Sequence, residues 1–388
     1  MTRRLVLSIY FFAIFLQSGT YGLTFLLPKL FAEFGANEKN VGFMLALTAV
    51  STLISVYYSG HLSDKLGRML TLGISSFSLT IALYLYSIAN SVGIILIIAS
   101  ILIGFGWGLM YTLGPVVLTR LSTPQSRVQI FSAYSVFLMG GFGLSPVFAS
   151  YLETLGYGVR DSFWIVAILC IISGIAFIAL RGPINNIATT TAPDNRSKLS
   201  IPSVISILTY RSWLPVFMGM LGASVFAGMN NFQTVFAERE GLAYADFFLY
   251  YTLTVVVGRV FLARFSGGKS PYNTIALLQF VMAASVILFI YVNGNQVIYI
   301  ASAVFFGIGY GVSYPILAAM AANDAPEDLM PQTMQLFSLS YFIGIFGFPL
   351  IAGIMIVDFS IPALLILVAA LAFIEASMAL GRHIKSSK

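Results

Sequence analysis

The stretch Gly60-His61-Leu62-Ser63-Asp64-Lys65-Leu66-Gly67-Arg68 sets one carboxylate among three basic side chains between two long apolar runs. A carboxylate at a membrane boundary seeks a base or the positive end of a helix. Such a group suits an electrostatic contact that is made and broken, not acid–base catalysis. The bland alternative is a polar hairpin whose bases snorkel to water.

A second group of residues offers flat apolar faces. Gly104, Gly106, Trp107, Gly108 and Tyr111 lie in one apolar run, and Gly307, Gly309, Tyr310, Gly311 and Tyr314 in another. Gly104 and Gly108 are one helical turn apart, as are Trp107 and Tyr111, and all four fall within about 100° of a helical wheel. Glycines let helices approach closely, and aromatics beside them can line a cavity. Ordinary helix packing would explain the same pattern. Gln17, Tyr21 and Thr24 share a helical face. Asn230, Asn231 and Gln233 place amides in another apolar run, where interhelical hydrogen bonds compete with ligand contact as their role.

Two charges are embedded in apolar runs, Arg259 and Glu375. Intramembrane charges are functional hypotheses by default. Both lie about 9 Å from the same membrane face at 1.5 Å per residue. They could pair with each other or snorkel outward. Histidine occurs only as His61 and His383, which excludes a histidine-rich metal site. The single cysteine, Cys170, excludes an internal disulfide and reads as a small buried hydrophobe. Gly267-Gly268-Lys269-Ser270 lacks the upstream glycine of a phosphate-binding loop, so ATP-driven chemistry is not expected. No cofactor is expected either.

The elements that must position these residues are membrane helices. Of 388 residues 59% are hydrophobic and 9% charged, against about 25% charged in soluble domains. Lipid is the solvent that accepts such a surface. Spanning segments must satisfy their backbone internally, as helices or a closed barrel. The apolar runs are about 20 residues long and do not alternate, which selects helices. Twelve spans are predicted, near 5–31, 41–60, 70–89, 92–118, 129–152, 161–180, 213–236, 247–265, 272–292, 296–321, 332–356 and 361–381. The first is too long for a cleavable signal.

The longest polar stretch contains Thr189-Thr190-Thr191-Ala192-Pro193-Asp194-Asn195-Arg196, which has linker composition. It divides the chain into a first bundle, 1–180, a cytoplasmic linker, 181–212, and a second bundle, 213–388. With both termini in the cytoplasm, fifteen of the twenty lysines and arginines fall on that side and four outside, as the positive-inside rule requires. The net charge of +6 therefore reflects topology and no nucleic-acid partner. The glycine and aromatic clusters match at a separation of 203, which also relates Pro146 to Pro349. A single offset across several elements marks a parallel repeat.

These features together resemble the major facilitator superfamily along the whole length. The loop after span two fills every anchor of its signature, Gly-x-Leu-x-Asp-Arg/Lys-x-Gly-Arg/Lys. The resemblance implies an all-α fold of twelve helices in two six-helix bundles. It implies that Gly60, Asp64, Lys65, Gly67 and Arg68 form a gate, Asp64 meeting the start of span eleven at Pro331 in the outward-open state. At the corresponding second-half loop Gly267 replaces the acid, so the gate charge is asymmetric. Spans one, four, seven and ten line the path in that family. Gln17, Tyr21, Trp107, Tyr111, Asn230, Tyr310 and Tyr314 are thus the expected substrate contacts. Arg259 follows Gly258, a pairing common in the family, and a conformational role is favoured for it. The expected neighbours of spans eight and twelve argue against an Arg259–Glu375 bridge.

The expected function is secondary active or facilitated transport of a small neutral or amphipathic solute by rocker-switch alternating access. The pattern of spans ten and eleven looks most like sugar and multidrug efflux permeases. Its partners are a small-molecule substrate and the lipid bilayer; the protein is expected as a monomer in the plasma membrane. A proton is a possible coupling ion, as in drug antiporters. However, spans one, four, five and seven lack their usual mid-span acid, and Ala99 and Ser100 occupy the place of an antiporter arginine. The alternative of another class is a non-transporting receptor or scaffold.

Overall fold

Leucine, isoleucine, phenylalanine and alanine fill runs long enough to cross a bilayer, and the chain answers with helices throughout. The computed structural model describes residues 2–123, 126–187, 199–261, 265, 267–326 and 328–386. The stretch Thr189 to Arg196, the bases Lys198, Arg264 and Lys388, and Ala263 and Glu327 lie outside the described residues.

Span one is Arg3–Leu23, continued through a tight turn by Leu27–Ala32. Spans two to six are Glu38–Leu66, Arg68–Ile88, Ile94–Leu121, Arg127–Thr154 and Val159–Ala179. Two short helices follow, Arg181–Ile187 and Ile201–Thr209. Span seven is Trp213–Asn231, continued by Gln233–Glu240; spans eight to ten are Tyr244–Phe261, Pro271–Ile290 and Gln296–Asn323. Span eleven comprises Met330–Phe342, a wide turn at Ile343–Gly347 and Phe348–Asp358, and span twelve is Ile361–Ser386. Eleven of these are long and apolar enough to cross a membrane. Tyr244–Phe261, which carries Asp246 and Arg259, packs between spans five and ten as the twelfth.

Local chemistry sets the helix ends. Asn37 caps span two reciprocally with Asn40. Asn295 accepts from the Val297 and Ile298 amides at 2.9 and 3.2 Å to start span ten. Pro331 occupies the first turn of span eleven. Span two runs six residues beyond its predicted end, so Gly60 to Leu66 is helix and the turn shrinks to Gly67. With φ at +87°, Gly67 takes a conformation that favours glycine, and span three starts at the next residue.

The two halves repeat in their packing. A methyl on Gly104 would meet the Thr48 carbonyl oxygen at 2.4 Å, and one on Gly307 the Tyr251 carbonyl oxygen at 3.1 Å. Gly106 abuts the Ser75 carbonyl and Leu79, and Gly309 abuts the Leu278 carbonyl and Met282. Each neighbour of the first-half glycine returns 203 residues later. The sequence offset is therefore a spatial operation, the relation expected of parallel bundles about a two-fold axis along the membrane normal.

Candidate functional site

Arg3 at the start of span one (against Leu121), Arg382 near the end of span twelve (beside Asp324), the span two–three turn and the span ten–eleven connection share one face of the molecule, here the terminal face. On the opposite, far face the halves are closed against each other. Lys39 Nζ meets Asp358 Oδ1 at 2.5 Å. A methyl on Gly42 would lie 2.4 Å from the Pro349 carbonyl oxygen, and one on Gly353 2.3 Å from the Glu38 carbonyl oxygen, so backbones touch there. Phe25 stacks on Phe248 at 5.4 Å. The Tyr244 hydroxyl donates to Glu153 at 3.1 Å, and Lys29 binds the other oxygen of that carboxylate at 2.7 Å.

A cleft of about 1020 Å³ enters from the terminal face between the halves. Spans two and four wall it on one side, and spans ten and eleven on the other. Its roof is aromatic. The Tyr111 and Tyr314 hydroxyls, separated by the repeat offset of 203, hydrogen-bond at 3.0 Å. Two repeat-related residues in contact lie on the pseudo-two-fold axis. Tyr341 rests against Tyr314 with ring centroids 4.7 Å apart and stacks over Tyr111 at 6.2 Å. The Tyr310 and Tyr341 hydroxyls bond at 2.8 Å, and Phe226 stacks on Tyr310 at 4.7 Å. Above them Tyr21 stacks on Trp107 at 4.9 Å, with Phe346 edge-on at 5.6 Å.

Five of the seven expected path residues thus meet in one aromatic column: Tyr21, Trp107, Tyr111, Tyr310 and Tyr314. The other two are placed differently. Gln17 is buried and donates to Ser75 in span three at 2.7 Å, which turns it into the first half. Asn230 is buried and donates to the Phe226 carbonyl of its own helix at 2.9 Å. Tyr341 and Phe226 belong to the column, and sequence reasoning missed them. Tyr341 has no aromatic partner at the repeat offset, where Leu138 stands, so the signal that found the others was silent.

The expected gate residues cluster at the cleft mouth. Gly60, Asp64 and Arg68 border the cleft, as does Pro331 of span eleven. Asp64, Gly67 and Arg68 also line a smaller pocket of about 290 Å³ with Arg120 and Arg181. Lys65 is exposed. Asp64 and Pro331 at the start of span eleven border the same cleft.

Arg259 does not snorkel. Its Nη1 donates to the Ser135 hydroxyl of span five, while the Ser132 hydroxyl donates to the Arg259 carbonyl at 3.2 Å. Its Nε and Nη2 are buried with no hydrogen-bond partner in the structure. The guanidinium of span eight therefore lies between the halves, held against span five. The choice between lipid edge and interior depended on hydroxyls more than a hundred residues away. Glu375 is likewise apart from Arg259: its Oε1 accepts from Gln279 Nε2 at 2.8 Å.

A family model described as the Major Facilitator Superfamily matches residues 7–349. The Quinolone resistance protein NorA of Staphylococcus aureus (strain MSSA476) is 23% identical over 328 residues, 82% of either chain. Its counterpart from strain N315 is 22% identical over 329 residues, with the same coverage. Among solved structures, the peptide transporter POT superposes with a TM-score of 0.77 at 16% identity, over 97% of this chain and 93% of that one. A bacterial homologue of the human drug peptide transporters gives 0.73 at 14% identity, over 98% of both.

Proposed function

The chain belongs to the Major Facilitator Superfamily, and from that premise we propose that it moves a small neutral or amphipathic aromatic solute across the plasma membrane by alternating access. One observation carries the reading. The cleft between the halves ends at a Tyr111–Tyr314 contact on the symmetry axis, while the far face is shut. With the termini in the cytoplasm, this is the inward-facing arrangement, and Lys39–Asp358 belongs to the outer closure.

The chemistry of the column narrows the solute. Tyrosine and tryptophan faces accept planar rings and sugar faces, and their hydroxyls supply the few directional bonds a binding site needs. An isolated cation would gain roughly 0.5–2 kcal/mol per ring. The positive charge of Arg259, buried between the halves against Ser135, opposes that gain. A neutral or zwitterionic amphiphile therefore suits the column better than a bare cation. A multiply charged anion would lose its hydration for the single positive charge of Arg259, a poor exchange. The similarity to NorA supports a drug-like solute and export.

The test uses norfloxacin, a fluorescent quinolone, in proteoliposomes holding the purified chain. Protein-dependent exchange is expected, and Tyr111→Ala or Tyr314→Ala should reduce it at least tenfold. Unchanged exchange in both variants would remove the column from the path.

A further inference from the structure

We propose that Glu375 is the proton-binding carboxyl that couples transport to a proton gradient. The proposal rests on the transport reading above and adds the coupling site to it. Spans one, four, five and seven lack the mid-span acid of a proton antiporter. The structure places one elsewhere, inside the second half and behind the helices that line the path.

Glu375 has zero exposure. It stands where spans seven, nine, ten and twelve converge. A methyl built on Gly222 of span seven would lie 3.2 Å from both carboxyl oxygens, so the acid is seated against that helix. Gln279 Nε2 donates to Glu375 Oε1 at 2.8 Å and to Ser313 Oγ of span ten at 3.2 Å. Glu375 Oε2 and Gln279 Oε1 are buried without a partner. Both orphaned atoms are acceptors, so this cluster is short of hydrogen. A proton on Glu375 supplies the missing donor.

Other charges do not supply it. Span seven presents no ionisable side chain between Trp213 and Asn231. Span nine presents Tyr272, whose hydroxyl donates to Asp324 at 2.5 Å, and Arg382 of span twelve lies 3.9 Å from Asp324. That cluster sits at the terminal face, two helical turns from Glu375. His383 belongs to the same end of span twelve. Span ten presents Tyr310 and Tyr314, whose hydroxyls are engaged in the column. A carboxylate held by one amide and no cation in a lipid-embedded core is costly. The neutral acid fits this packing.

The location explains how a proton could be felt at the solute site. Span seven carries Gly222 against the acid and Phe226, one turn on, against Tyr310. Span ten carries Ser313 beside Tyr314. Loss of the proton leaves a charge that Gly222, Gln279 and Ser313 cannot satisfy as packed, so spans seven and ten must shift, and they hold three members of the column. Gain and loss of the proton at Glu375 are thereby coupled to the solute site.

The test pairs two readouts on wild type and Glu375→Gln. The first is labelling by dicyclohexylcarbodiimide, which attacks neutral carboxyls in apolar surroundings, with the adduct located by mass spectrometry. The second is norfloxacin movement in proteoliposomes, downhill and against its gradient under an imposed pH difference. An adduct at Glu375 that falls as pH rises is expected. Downhill exchange should persist in Glu375→Gln, with pH-driven accumulation lost at least tenfold. Accumulation retained by Glu375→Gln, or no adduct at Glu375 at any pH, would overturn the proposal. An adduct on a protein that moves no norfloxacin would support the proton site and instead contradict the transport reading.

Discussion

Asp64 and Pro331 border one gap across the halves, which brings a carboxylate and the start of a helix to the same cleft. A carboxylate gains about 0.3–1 kcal/mol at an exposed helix N-terminus, and more where partly buried. Asp64→Asn removes that charge but keeps the shape. Transport should fall severalfold with unchanged yield and melting temperature; wild-type flux would remove Asp64 from the gate. Arg259 offers a second residue-scale test. If the guanidinium links the halves through Ser135, Arg259→Ala and Ser135→Ala should alter the balance of inward- and outward-facing forms in the same direction. Their double variant should do little more than either alone. Additive effects would separate the two residues.

The helices themselves were legible because lipid leaves the backbone few options. Apolar run length gave twelve spans, and the 203-residue offset gave the relation between halves. Other features escaped besides Tyr341, Phe226 and the turn of Asn230 back onto its own helix. Gly60 to Leu66 read as loop because its charges suggest water, yet those side chains continue span two to a one-residue turn at Gly67. Gln17 read as a path residue because its face is shared with Tyr21. The helix nevertheless turns the glutamine toward Ser75, and a wheel cannot tell which side meets the other half. The far-face closure was invisible, since Lys39 and Asp358 are 319 residues apart. The closure is itself testable at the scale of the element. Gly42 and Gly353 let spans two and eleven touch backbone to backbone. Gly42→Leu would drive a side chain into the Pro349 carbonyl, and overpacking of this kind costs roughly 1–3 kcal/mol. Cysteine labelling from outside should then reach Tyr21 or Phe25 positions in the variant and not in the parent. Equal labelling would show that the glycine contact does not hold the face shut.

For the whole molecule, alternating access requires the halves to rock about a shared column. The Lys39–Asp358 pair is partly exposed, with side chains 39% and 45% accessible, so its worth is about 0–1 kcal/mol. So weak a bond can close a gate without locking it, as a cycling carrier requires. The column lies on the repeat axis, where both halves contribute side chains, and so remains shared as either face opens. The most direct measurement places cysteines at Lys39 and Asp358 and joins them with a short thiol cross-linker, in proteoliposomes loaded with norfloxacin. Exchange should stop when the far face is cross-linked and return when a cleavable linker is reduced. Full exchange through protein whose far face is shown to be cross-linked would contradict alternating access in this chain.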